Sequence, residues 1–242
     1  MKHYGLIGYP LTHSFSRSYF TRKFSQEGLR DCVYELHELS DVEDFRKVAF
    51  DGKNRAGFNV TIPYKTSIIP YLDELDPVAA EVGAVNCIRI QEGRLIGYNT
   101  DVIGFETTLK KLIGGERPRC FVLGSGGAAK AVRYVLHEGR YEYFIVSRKP
   151  TDNQISYENI PYLLASQNLF INTTPLGMYP DVDSFPPIPY LSLTANDFMF
   201  DLIYNPPETV FLQKGKERGC KIINGMMMLE IQAEESWKIW NM

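Results

Sequence analysis

The sequence is poor in the residues that build metal sites and covalent staples. Its 242 residues include four cysteines and four histidines. Cys32, Cys87, Cys120 and Cys220 lie far apart and form no CxxC pair, which argues against a disulfide framework and predicts reduced, structural thiols in a cytoplasmic protein. The histidines have no HxH or HxxxH spacing, so no metal is expected. Long apolar runs are missing too. "CFVLG" and "YFIVS" are far too short to span a bilayer. "MKHYGLIGYP" lacks a long apolar segment and a small-residue cleavage site, so no signal peptide is expected. Charge of one sign is scarce: the net charge of −3 gives no electrostatic reason for a nucleic-acid or membrane partner. No internal repeat or low-complexity tract stands out. What remains is 44% hydrophobic and 23% charged, an ordinary globular composition, long enough for one large domain or two modest ones.

The first half mixes strands and helices. Strands are predicted over 3–9, 32–39 and 57–63, and helices over 16–29 and 41–50. A turn and helix are predicted for "KTSIIPYLDEL" from Lys65 onward, then a hairpin over 84–100 turning at Glu92-Gly93. A helix over 102–113 runs into "GGERP", a plausible boundary. From there strand and helix alternate: "RCFVLG", a glycine turn, a helix, then "YEYFIVSRKP", "NLFINTTP", "DFMFDLIY" and "RGCKIINGM". Alternation of this kind predicts a parallel, doubly wound sheet. The chain closes with a helix through "MMMLEIQAEESWKIW", with Met228, Ile231 and Trp237 apolar.

"VLGSGGAAKAV" (122–132) carries a variant of the dinucleotide fingerprint. Gly124 permits a tight turn, Gly126 lets backbone approach a pyrophosphate at the positive end of the next helix, and Ala128 stands where a small residue lets helix pack on strand. Alone such a loop is weak evidence; here it follows an apolar strand and opens a helix. The next strand ends in Ser147, Arg148 and Lys149 instead of an acidic residue that would grip ribose hydroxyls. Two bases there favour a 2′-phosphate, hence NADP. The same substitution disfavours a methyltransferase using S-adenosylmethionine.

Lys65, inside the mostly apolar or strand-prone "FNVTIPYKTSIIPYLDEL", fits hydride chemistry. Reduction of a ketone needs a proton donor beside its oxygen, and a partly desolvated lysine can serve. A carboxylate could hold it; Asp73, Glu74, Asp76 and Asp101 are all candidates by spacing. The alternative is a surface charge on a helix first turn.

"YPLTHSFS", "GFNVTIPYK", "GAVNC", "GYNTD", "GSGGAAKA", "INTTPLGM", "DLIYNP" and "NGMMMLEIQAEESWKIW" together resemble the shikimate dehydrogenase family, in order across nearly the whole chain. The resemblance implies an α/β protein with an N-terminal α/β substrate domain, 1–101 completed by the helix 226–242, and a Rossmann-like NADP-binding domain, 102–225, with a cleft between them. It implies reversible reduction of 3-dehydroshikimate to shikimate on the route to chorismate and aromatic amino acids. Lys65 then matches the catalytic lysine and Asp101 its partner. Ser14 and Ser16 match hydroxyls that hold the substrate carboxylate, a role to weigh against helix capping. Thr61, Asn86, Tyr204 and Gln232 match further substrate contacts, with Asn59 as support. Gly124, Ser125, Gly126, Gly127, Ala128, Ser147, Arg148, Lys149, Thr173, Leu202 and Gly225 match positions around the cofactor. Monomer and homodimer both stay open.

Three departures from the family pattern stand out. The stretch between Pro150 and Asn168 is brief, which predicts a trimmed helix or loop. Ser147 and Lys149 replace the usual flanks of the arginine. Met226, Met227 and Met228 either line the nicotinamide pocket or fill the domain junction, the second for at least two of them. A quinate/shikimate dehydrogenase also using NAD, and a non-catalytic NADP sensor, are the rival readings.

Overall fold

The structure, a computed structural model, describes residues 1–11 and 14–242. Thr12 and His13 of the "YPLTHSFS" motif lie outside the described residues. The chain divides into two compact units, Met1–Thr100 with Ala233–Met242, and Asp101–Gln232.

The first unit runs β1 (Lys2–Gly8), α1 (Phe15–Gln26), β2 (Cys32–Glu38), α2 (Phe45–Ala49), β3 (Arg55–Val60), β4 (Glu74–Leu75), α3 (Pro77–Val82), β5 (Cys87–Gln91) and β6 (Arg94–Tyr98). Its sheet has the order β2-β1-β3-β5-β6-β4. β1 is parallel to β2 and β3, whereas β5 is antiparallel to β3 and β6. Helix α1 begins at Ser14, whose hydroxyl accepts the Arg17 N–H at 3.2 Å. Capping therefore falls to Ser14, and Ser16 is the second helical residue, buried. Phe20 and Phe24, four apart on one helical face, bury against Tyr4 and Tyr34. The hairpin turns at Glu92 and Gly93, both at positive φ (52° and 75°), the geometry that favours a glycine in a two-residue turn.

The helix expected after Lys65 is absent. Residues 62–68 form successive turns, with Tyr64 N–H donating to the Thr61 carbonyl and Ile68 N–H to that of Tyr64, both at 2.9 Å. A three-residue 3₁₀ turn, Ile69–Tyr71, and β4 follow. Pro63 and Pro70 explain this: each lacks an N–H and constrains the residue before it. The helix comes later as α3, which Asp76 caps by accepting the Val78 N–H at 3.0 Å, with Pro77 in its first turn.

The second unit runs α4 (Asp101–Ile113), β7 (Arg119–Leu123), α5 (Gly127–Glu138), β8 (Tyr143–Val146), β9 (Gln154–Ile155), β10 (Asn168–Asn172), β11 (Phe198–Asp201), α6 (Val210–Glu217), β12 (Lys221–Ile223) and the start of α7 (Met226–Trp240). The sheet is parallel throughout, in the order β12-β11-β10-β7-β8-β9. Its central strands β7, β10 and β11 are almost wholly buried, and Phe121 stacks on Phe144 and Phe170 at 5.7 and 5.0 Å. Between Pro150 and Asn168 there is β9 and a 3₁₀ segment, Tyr157–Leu163, but no α-helix. The contact units divide α7 between Gln232 and Ala233. Among the described residues no helix is long and apolar enough to cross a membrane, and no group of three or more His, Cys, Asp and Glu could hold a metal.

Candidate active site

In the first unit, five of the residues singled out by sequence stand at one end of the sheet, where β1 and β3 finish and β5 begins. Ser14 and Ser16 follow β1, Thr61 and Lys65 follow β3, and Asn86 precedes the antiparallel β5. Because β5 runs against β3, its beginning lies beside the end of β3. The Val60 N–H accordingly donates to the Asn86 carbonyl at 2.8 Å, and Thr61 N–H to the Ile7 carbonyl at 2.9 Å. Lys65 is tied to the same end through its backbone, whose carbonyl accepts the Val85 N–H at 2.7 Å. The flanking Tyr64 and Ile68 are buried, and the Tyr64 hydroxyl donates to the Leu39 carbonyl. These anchors hold a half-exposed Lys65 between them. Ser14 and Ser16 stand at the start of α1, where the helix macrodipole favours a carboxylate. The Asn86 side chain is held by Thr100: its oxygen accepts the Thr100 N–H at 2.7 Å, and its Nδ2 donates to Thr100 Oγ1 at 3.0 Å.

The other three expected substrate residues belong to the second unit. Asp101 directly follows Thr100, opens α4 and is buried, a favourable place for a carboxylate at a helix N-terminus. Gln232 is 7% exposed, which rules out a solvated helix glutamine. Tyr204 follows β11 and is half-buried.

The expected cofactor residues gather at the carboxyl ends of the parallel strands. β7 leads on to β8 and β9 on one side and neighbours β10 on the other, so the sheet reverses direction between β7 and β10, where open α/β sheets bind ligands. Gly124 stands there at φ +108°, a conformation that favours glycine, and a Cβ on it would come within 2.8 Å of Thr173 Oγ1. That hydroxyl donates to the Leu123 carbonyl at 2.7 Å. Gly126 caps α5 without a side chain, leaving the positive helix end open. A Cβ on Gly126 would meet no atom within 4 Å, so the space in front of the helix is free for a pyrophosphate. Ser147 is half-buried, and Arg148 and Lys149 are exposed after β8. Gly225 lies so close to Leu202 that a Cβ would overlap the Leu202 carbonyl, and its N–H bonds the Ile203 carbonyl at 3.0 Å. These features fit a dinucleotide. On α5, Ala129, Ala131 and Val132 are buried and Ala128 is half-buried. Met228 is buried, its carbonyl facing Gly104, and Met226 and Met227 are half-exposed.

Because Gly126 has φ −76° and open space around it, Gly126→Val should fold normally yet fill the cradle. Loss of one to two charge-assisted hydrogen bonds, about 1.5–3 kcal/mol, predicts a roughly ten- to hundredfold rise in KM for NADP at unchanged melting temperature. Steady-state kinetics and thermal melting of the variant check it.

A family profile described as the shikimate dehydrogenase substrate binding domain matches residues 6–88. The shikimate dehydrogenase (NADP(+)) of Methanococcus aeolicus is 38% identical over 98% of this chain and 90% of its own. The chain belongs to the shikimate dehydrogenase family. A solved shikimate dehydrogenase from Aquifex aeolicus superposes with a TM-score of 0.88 at 33% identity, covering 100% of this chain and 92% of that one. Shikimate 5-dehydrogenase from Thermus thermophilus, solved in complex with NADP(H) and shikimate, gives 0.85 at 29% identity, covering 99% and 93%.

This shikimate dehydrogenase family member also has a buried network at the ends of β10 and β11, among residues outside the expected site. Asn172, at the end of β10, accepts the Thr174 N–H at 3.0 Å and donates to the Leu176 carbonyl and to Asp201 Oδ1 at 3.2 and 3.0 Å. Asp201, at the end of β11, also accepts from Ile203 N–H and the Thr209 hydroxyl at 3.0 and 2.6 Å. Burial pushes the Asp201 carboxyl up to about 6, against the pull of those donors. Thr173, Leu202 and Tyr204 all adjoin this network in sequence. The signal was present in "INTT" and "DLIY": a polar residue closing an apolar strand.

Proposed function

We propose that this chain is an NADP-dependent shikimate dehydrogenase, reversibly reducing 3-dehydroshikimate to shikimate in the pathway to chorismate and aromatic amino acids. One observation carries the reading: a single end of the sheet gathers Ser14, Ser16, Thr61, Asn86 and Lys65. Hydroxyls and an amide suit a polyhydroxylated carboxylate, and the lysine supplies the proton that such a set otherwise lacks. The substrate domain is 1–101 with the helix 226–242, and the NADP domain is 102–225. The protein works in the cytoplasm, as a monomer or homodimer, on small molecules alone.

Ser14 and Ser16 bind the substrate carboxylate, helped by the start of α1. Thr61, Asn86, Tyr204 and Gln232 bind ring hydroxyls and fix the ring's orientation. The Lys65 ammonium donates its proton to the ketone oxygen as that oxygen takes up charge, and takes it back in the reverse direction. Asp101 orients Lys65 and the reacting oxygen. Bound NADPH supplies the hydride. The Gly124–Ala128 loop and α5 would hold the pyrophosphate, Ser147, Arg148 and Lys149 the adenosine 2′-phosphate, and Thr173, Leu202 and Gly225 the nicotinamide side.

Purified protein mixed with shikimate and NADP should generate NADPH absorbance; none at any pH from 7 to 10 refutes the reading. Arg148→Ala should lower the preference for NADP over NAD by roughly ten- to hundredfold, the worth of one charged, forked contact. The ratio of kcat/KM for the two cofactors measures it, and an unchanged ratio would assign Arg148 to solvent.

A further inference from the structure

We infer that Tyr34, Asn59 and Ser236 form a positioning relay beneath the substrate groups, holding Ser16 and Asn86 in register. This rests on the shikimate dehydrogenase reading, because it assigns a task to the same end of the sheet. The Tyr34 hydroxyl donates to Asn59 Oδ1 at 2.8 Å, and Asn59 Nδ2 donates to Ser236 Oγ at 2.8 Å and to the Asn86 carbonyl at 3.3 Å. Ser236 Oγ lies 3.3 Å from Thr100 Oγ1, which is bonded to the Asn86 amide. Every member is buried: Tyr34 5%, Asn59 3%, Asn86 2%, Thr100 1% and Ser236 0% exposed.

The chemistry orders this chain in one direction. Burial drives the Tyr34 phenol well above its ordinary pKa, partly offset by the nearby Ser16 hydroxyl, so Tyr34 is always a donor. Asn59 must therefore turn its oxygen to Tyr34 and its Nδ2 to Ser236 and Asn86. Asn86 in turn gives its oxygen to the Thr100 N–H and an Nδ2 hydrogen to Thr100 Oγ1, which fixes the orientation of its amide. Tyr34 itself is fixed by stacking on Phe20 of α1 at 4.7 Å and 16°. The relay thus ties α1, which carries Ser16, to β3, to Asn86 and to the last helix. An apolar core would have been the cheaper filling; buried polar groups are justified where they specify an arrangement. Tyr34 and Ser236 need not touch the substrate.

The test is Tyr34→Phe, which removes one oxygen. KM for shikimate should rise roughly five- to twentyfold, the worth of a buried hydrogen bond, while kcat changes less than about threefold and KM for NADP less than about twofold. Ser236→Ala should act in the same direction. The double variant should fall short of the product of the singles, since both act through Asn59. A folded Tyr34→Phe with unchanged KM for shikimate, a matching rise in KM for NADP, or multiplicative behaviour in the double variant overturns the relay. If neither variant melts cooperatively, a crystal structure of the wild type with shikimate decides. Asn59 still bonded to the Ser236 oxygen supports the relay, and an Asn59 amide turned away from it to the ligand overturns it. Failure of the functional reading looks different: the wild type itself would not reduce NADP with shikimate.

Discussion

Lys65→Ala is expected to lower kcat by roughly two to four orders of magnitude, the range of a positioned general acid–base. KM for shikimate should move far less, since the proposed function gives ground-state binding to hydroxyls and amides. The fold should survive: Lys65 is half-exposed, and its backbone carbonyl, which alanine keeps, accepts the Val85 N–H. A group acting in the transition state lowers kcat and kcat/KM together, which separates this outcome from lost binding. Lys65→Arg should remain slow. A guanidinium preserves the charge but does not release a proton near neutral pH. Wild-type turnover in Lys65→Ala, or full rescue by arginine, would mean that the lysine only supplies charge. Thermal melting run beside the kinetics guards against a trivial loss of folded protein.

The turn around Lys65 also shows where sequence reading runs out. The strand before it follows from a short apolar run buried on both faces, and the helix beginning at Asp101 from an apolar stripe at helical spacing. The glycine turn after β7 was legible for a different reason: positive φ at Gly124 and an uncapped α5 are local properties of local residues. Residues 61–76 offered apolar side chains at spacings that suit a helix. Pro63 and Pro70 override that pattern, and the segment is held instead by bonds to the distant Val85, Leu95 and Gly97. α3 went unnoticed although Asp76-Pro77 is a capping pair, because it spans only six residues and has no amphipathic repeat. The relay of Tyr34, Asn59 and Ser236 was invisible for a deeper reason. Its members are up to 202 positions apart, from Tyr34 to Ser236, and only the folded sheet with the last helix laid on it makes them neighbours.

The second large effect concerns stability. Arg55 is the hub of a charged cluster on the β2–β1–β3 side of the sheet. Its side chain is 2% exposed and bonds Glu35 and Asp51, both at 2.6 Å. It also sits over the Phe58 ring at 5.6 Å and 3.1 Å from His37 Nε2. Arg55 is buried and its two carboxylate partners only partly so, and its removal forfeits two charge-assisted bonds, so Arg55→Ala should cost about 3 kcal/mol. At roughly 2–4 °C per kcal/mol for a chain of this size, the melting temperature should fall by about 6–12 °C at pH 7. The pH dependence distinguishes the ion pairs from lost packing. Burial raises the Glu35 carboxyl, but bonds from Lys53, Arg55 and His3 outweigh it and hold the group at about 2; the Arg55 bond chiefly holds Asp51 at about 2. Both are depressed below their unfolded values of 4.5 and 3.8, so their stabilisation is full above those values and is lost as pH falls towards 2. His37, lowered to about 4 by burial and Arg55, is neutral in the fold and adds to the acid loss between its ordinary 6.5 and 4. Wild type and Arg55→Ala should therefore differ most at neutral pH and converge as pH falls to 2 and below, where the wild-type carboxylates take up protons as well. A gap in melting temperature that stays constant from pH 7 to pH 2 would assign the arginine's contribution to its packing on Phe58 instead.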